Sequence, residues 1–165
     1  MKGLINMGKK FYIGLDQSSR KTGYALLDEE GKLILYGVFN ITGENAIQRS
    51  NKLIKEFLAT FWDYLTKETI VGLEDIKGNQ INYKTTITLA KVLGAIEYFF
   101  DTKDIKYEVI PPGTWRKTCG IKGRKREEQK INAIAKVKEK YGVEAKEDAA
   151  EAICIAEHLY MQAGW

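Results

Sequence analysis

The segment KFYIGLDQSSRKTGYALLD, residues 10–28, sets the architecture of the chain. Residues 11–15 are a short apolar, β-prone run that ends at a carboxylate, Asp16. A polar turn over 17–21 then returns the chain into a second β-prone run, 22–27. A carboxylate at the end of a buried strand costs free energy unless something cationic meets it. Asp16 therefore has two readings. It caps the turn through its own backbone, as Asp and Ser routinely do, or it is the first ligand of a metal site completed by acids far along the chain.

Outward from this segment, a polar turn over 28–32 leads into a third strand, 33–39. Connections this short join antiparallel neighbours, because a parallel pair needs a crossover of about a dozen residues or more. The fold therefore opens with a meander. Ala46, Ile47, Leu53, Ile54, Phe57, Leu58, Phe61 and Leu65 recur at helical spacing and predict a helix over 45–65. Residues 69–73 read as a buried strand, and it too ends in a carboxylate, Glu74. After a polar loop over 75–84, a helix over 85–100 carries Leu89, Val92, Leu93, Ile96, Phe99 and Phe100 on one stripe, with the small residues Ala90, Gly94 and Ala95 among them. A fifth strand, 106–110, stops at Pro111-Pro112. A basic loop follows, then a helix over 126–141 ended by Gly142, and a last helix over 146–160. A meander followed by strand–helix alternation predicts an α/β fold, a five-stranded mixed sheet with helices on its faces.

The bulk numbers narrow the class. At 165 residues the chain fits one domain able to bury a core without staples. Its 44% hydrophobic and 29% charged residues are ordinary globular composition. No run approaches the length needed to cross a bilayer, and MKGLINMGKK at the N-terminus lacks a secretory apolar segment, so a cytoplasmic protein is expected. Cys119 and Cys154 lack CxxC spacing and His158 is the single histidine, a poor basis for structural zinc; both cysteines are expected to be free thiols. The net charge of +4 is concentrated. Between positions 116 and 130, seven basic residues (Arg116, Lys117, Lys122, Arg124, Lys125, Arg126, Lys130) face two acids, Glu127 and Glu128. Such an excess is either a solvated face or the footprint of a polyanionic partner.

In the last helix Ala149, Ala152, Ile153, Ile155, Ala156, Leu159 and Tyr160 fill one apolar arc, with Asp148 at its edge and Glu151 beside it. Acids in a first helical turn are favoured by the macrodipole, which accounts for Glu147 and Asp148 but less well for Glu151. A bridging cation would account for both Asp148 and Glu151. Asp16 and Glu74 end two strands that can be neighbours, and the last helix can pack across them. Four oxygen ligands without a His or Cys cluster call for a hard cation, Mg²⁺ or Mn²⁺.

Three motifs, GLDQSSRKTGY at 14–24, IVGLED at 70–75 and EDAAEAICIA at 147–156, resemble in order and spacing the acidic motifs of the RuvC Holliday junction resolvases. The resemblance spans nearly the whole chain. It implies an RNase H-like fold, a homodimer gripping four-way or otherwise branched DNA, and cleavage dependent on Mg²⁺, with Mn²⁺ as a substitute and two ions per site. The products would carry a 5′-phosphate and a 3′-hydroxyl. Carried over by position, Asp16, Glu74, Asp148 and Glu151 are the metal ligands and catalytic residues. Arg116, Lys117, Lys122, Arg124, Lys125 and Arg126 fall where the family contacts DNA, and the helix over 85–100 falls where it dimerises. Gln17-Ser18 replaces the family's Pro-Gly, Glu151 replaces an Asp and leaves Glu147 as a rival ligand, and the aromatic wedge after the second acid is missing, with Lys77 and Asn79 in that region and Tyr83 a later candidate. These variations resemble bacteriophage members, for which the compartment would be the host cytoplasm.

Two other readings compete: an inactive branched-DNA-binding protein of the same fold, and an actin-like kinase or ATPase fragment, for which Asp16, Thr22 and Gly23 form a similar opening but the chain is short of a second lobe. Trp62 reads as core or helix-surface packing, Trp115 as a core anchor or a base-stacking platform, and His158 as a partly exposed helix residue.

Overall fold

The computed structural model describes residues 6–18, 20–76 and 82–164. Three strands, β1 (Tyr12–Asp16), β2 (Lys21–Leu27) and β3 (Leu33–Asn40), form the antiparallel meander, and β4 (Ile70–Glu74) and β5 (Lys106–Ile110) add in parallel to give the order β3-β2-β1-β4-β5. The helices are α1 (Ala46–Phe61), α2 (Tyr83–Thr102), α3 (Pro112–Thr118), α4 (Arg126–Tyr141) and α5 (Glu147–Ala163), with a short 3₁₀ turn at Trp62–Tyr64. This is the mixed α/β sheet the sequence predicts. The differences are local. The polar segment after Pro111 is not wholly a loop, since Pro112 opens α3; proline is well suited to a first helical turn, where its missing N–H has no partner to lose. Lys77 and Asn79 lie outside the described residues.

Strand alternation sorts the core into two layers. Phe11, Ile13 and Leu15 point to one face and pack with Phe57 and Phe61 of α1 and Val92, Ile96 and Phe100 of α2. Tyr12 belongs to the opposite layer with Ala152, Ile153 and Ile155 of α5 and Trp115 of α3. By the same alternation Gly14 and Asp16 lie on the α5 side. There Gly14 and Gly23 matter: a Cβ on Gly14 would sit 2.0 Å from the Ala152 carbonyl oxygen, and one on Gly23 would sit 1.8 Å from that of Asp148. The helix backbone therefore lies directly on the sheet, a separation open only to glycine.

α5 differs from the amphipathic helix its arc suggested. Every residue from 149 to 159 is buried, because the sheet covers one side and α3 and α4 cover the other. Glu157 is consequently buried and ion-paired with Lys140, while Lys136 Nζ stands 3.7 Å from its other oxygen. His158, expected to be partly exposed, is buried with Nδ1 2.8 Å from Thr118 Oγ1. Burial lowers its pKa, opposed by the charge of Glu108.

Candidate metal centre and its basic rim

Asp16 and Glu74 end neighbouring parallel strands. Their register pairs Gly14 with Gly72 and Leu15 with Leu73, so one step further the two carboxylates stand side by side on the α5 face. α5, seated on Gly14 and Gly23, delivers Glu151 to them. One carboxylate oxygen from each of Asp16, Glu74 and Glu151 lies within 4.8 Å of the others. Asp148, one turn earlier on α5, is outside that trio but lines the same cleft, of about 430 Å³, with Asp16, Glu74, Arg116 and Arg126. Glu147 is turned away: its Oε2 accepts from Lys130 Nζ at 2.8 Å on the exposed surface. Of the two rivals, the structure brings Glu151 to the other acids, and Lys130 drops out of the free basic surface.

The electrostatics follow from burial and like charge. Burial is the main reason the Asp16 carboxyl is held well above its ordinary 3.8, and the charges of Glu151, Glu74 and Asp148 add to it. Glu74 is raised above 4.5 by burial and Glu151, while the Trp115 N–H, Arg116 and Arg126 pull it back. Glu151 is 2% exposed, and its Oε2 is buried without a hydrogen-bond partner among the described residues. A buried acceptor of this kind beside two further acids is poorly accommodated by protein groups alone. The all-oxygen donor set fits a hard divalent cation.

Two supports of this site have no assignment from the sequence. Trp115, 0% exposed, is a core anchor and not a stacking platform, and its indole Nε1 donates to Glu74 Oε2 at 2.8 Å. Gln17, in place of a Pro-Gly turn, donates from Nε2 to the Glu74 carbonyl at 2.5 Å and accepts from the Glu74 N–H at 3.1 Å. Its side-chain amide continues the β1–β4 ladder past the end of β1. Neither interaction has a local sequence signal, since each spans at least 41 positions.

The basic residues divide by exposure. Arg116 is half-buried at the cleft, its guanidinium 4.9 Å over the Trp115 ring, with Nε and Nη2 buried and without hydrogen-bond partners among the described residues. Lys117, Lys122, Arg124, Lys125 and Arg126 are exposed, and Lys117 and Lys122 edge a groove that Arg116 joins to the cleft.

A second group of potential metal ligands, Cys119, Cys154 and Glu157, lies within 4.8 Å in the interior. Its chemistry differs. The thiols are free, the neighbouring Cys119 and burial push Cys154 well above an ordinary thiol, and Glu157 already faces two lysines. These residues account for one another as a buried ion pair beside two free thiols.

No family model matches the sequence, and no curated protein sequence matches it. Solved structures do match in fold. RuvC of Thermus thermophilus in complex with Holliday junction substrate superposes with a TM-score of 0.71 at 15% identity, covering 93% of this chain and 96% of that one. A second Thermus thermophilus RuvC structure gives 0.70 at 15% identity with the same coverage. The Fowlpox virus resolvase, solved with its substrate Holliday junction DNA, gives 0.62 at 18% identity, covering 94% and 98%. The chain thus has the RNase H-like fold of the RuvC and poxvirus junction resolvases over nearly its whole length.

Proposed function

We propose that the protein is a metal-dependent, structure-selective DNA endonuclease that cleaves Holliday junctions and related branched DNA. The observation that carries this reading is the meeting of Asp16, Glu74 and buried Glu151, whose Oε2 has no hydrogen-bond partner among the described residues, at a cleft that Asp16 and Glu74 line with Arg116 and Arg126. Asp16, Glu74 and Glu151 would hold divalent ions, Mg²⁺ or Mn²⁺, and Asp148 would complete the set from the cleft wall. Bound there, divalent ions would supply charge stabilisation to the attacking and leaving oxygens of an in-line displacement. Water attacks the phosphorus and the bond to the 3′ oxygen breaks, leaving a 5′-phosphate and, after proton uptake, a 3′-hydroxyl. The unpartnered nitrogens of Arg116 suit a bridging interaction with phosphate oxygens. Lys117, Lys122, Arg124, Lys125 and Arg126 track the backbone of the arms, a salt-sensitive interaction.

The reading includes a homodimer. Tyr83, Ile87, Ala90, Gly94 and Tyr98 fall within one arc of α2 and are all exposed. Two copies packed through that stripe would present two clefts to one junction, each cutting one strand.

Labelled four-way, three-way and linear DNA, incubated with Mg²⁺ and with chelator, test the proposal. Nicking of branched DNA that chelator abolishes is the expected result. Tight branched-DNA binding with no metal-dependent nicking would leave only an inactive binding protein of the same fold.

A further inference from the structure

Glu74 is gripped from two directions by residues that hold no ion. Gln17 clasps its backbone with a reciprocal amide pair, and Trp115 donates its indole N–H to one carboxylate oxygen, Oε2, at 2.8 Å. A buried indole needs an acceptor for its one N–H, and a backbone carbonyl would satisfy it. Here it is spent on an acid in a cluster of acids. That bond fixes the carboxylate's rotation, since Trp115, carried by α3, is fully buried in the core it shares with α5.

We propose that Trp115 is a positioning residue that fixes which oxygen of Glu74 faces the divalent ions, and that Gln17 fixes the backbone from which this carboxylate projects. The proposal rests on the metal-site reading above. It gives Gln17 a role in place of the Pro-Gly turn, and it makes α3 part of the metal centre although none of its residues is a ligand. Partners of this kind typically contribute about 10–100-fold to metal affinity.

The test is Mn²⁺ affinity, read from the electron paramagnetic resonance signal of free Mn²⁺ with the full chain and without DNA. Trp115→Phe keeps an aromatic ring in the core and removes the donor. It is expected to weaken Mn²⁺ binding about 10–100-fold, and to cause no further loss when added to Glu74→Gln. Gln17→Met keeps the side-chain length, removes the amide and is expected to weaken binding in the same direction; it decides the matter if Trp115→Phe fails to fold. A folded Trp115→Phe that melts earlier yet binds Mn²⁺ like wild type, or whose loss adds fully to that of Glu74→Gln, overturns the positioning role and leaves the metal site standing. Equal Mn²⁺ binding by wild type and Glu74→Gln overturns the metal site, and the positioning role with it.

Discussion

At the scale of single residues, the site is built from acids that are unfavourable neighbours until a cation joins them. On the proposed mechanism, Asp16→Asn or Glu74→Gln should reduce cleavage on the order of 10³-fold, because several kcal/mol of charge stabilisation would depend on the ions these residues are proposed to hold. Junction binding measured by gel shift should change little, since the basic rim is intact; loss of binding in step with cleavage would speak against ligand roles. A pH effect follows with a definite sign. The carboxyls of Asp16 and Glu74 are both raised in the folded protein above 3.8 and 4.5. The stability they contribute is present below those ordinary values and is lost as pH rises through the raised ones, about 1.4 kcal/mol for each tenfold weakening of acidity. Thermal melts in chelator should therefore fall from weakly acidic to neutral pH, and Mg²⁺ should restore stability most at the neutral end. A melting temperature in chelator that climbs over that range would contradict the raised carboxyls. Much of the trio was legible in the sequence because β-prone runs that end in Asp and Glu are local patterns. The pairing of Glu147 with Lys130 was not legible, since Lys130 arrives from the preceding helix.

At the scale of elements, the decisive packing is α5 against the sheet. Gly14→Ala or Gly23→Ala puts a methyl group into the helix backbone. Either should destabilise the fold by about 1–3 kcal/mol or more, as overpacking does, and should weaken Mn²⁺ binding as Glu151 is lifted away from Asp16. Denaturant melts with a Mn²⁺ titration check both, and an unchanged affinity in either variant would argue against α5 as the carrier of the site. The bounds of β5 and α4 were legible, β5 as a strand stopped at Pro111-Pro112 and α4 as a helix ended by Gly142. α3 was not, because Pro-Pro-Gly signals a break as readily as a helix start. The full burial of α5 was not legible, because Glu157 and His158 are polar and their partners Lys136, Lys140 and Thr118 arrive from α4 and α3.

At the scale of the whole molecule, the basic rim and the exposed stripe on α2 are the surfaces proposed to take DNA and a second copy of the chain. Replacing Lys122, Arg124 or Lys125 by Ala should lower the salt dependence of junction binding by about one in the log–log slope for each phosphate left without its cation; an unchanged slope would remove that residue from the interface. Gly94→Glu should abolish the dimer in sedimentation without loss of thermal stability, since nothing lies within 4 Å of a Cβ there and glycine is a poor helix former. A dimer that persists would move the interface elsewhere. The central claim is that three chain-distant carboxylates form one divalent-cation site. Anomalous diffraction from crystals grown with Mn²⁺ tests it most directly: the account predicts a peak bridging Asp16, Glu74 and Glu151, and a map in which Mn²⁺ binds elsewhere while these acids stand without metal would contradict it.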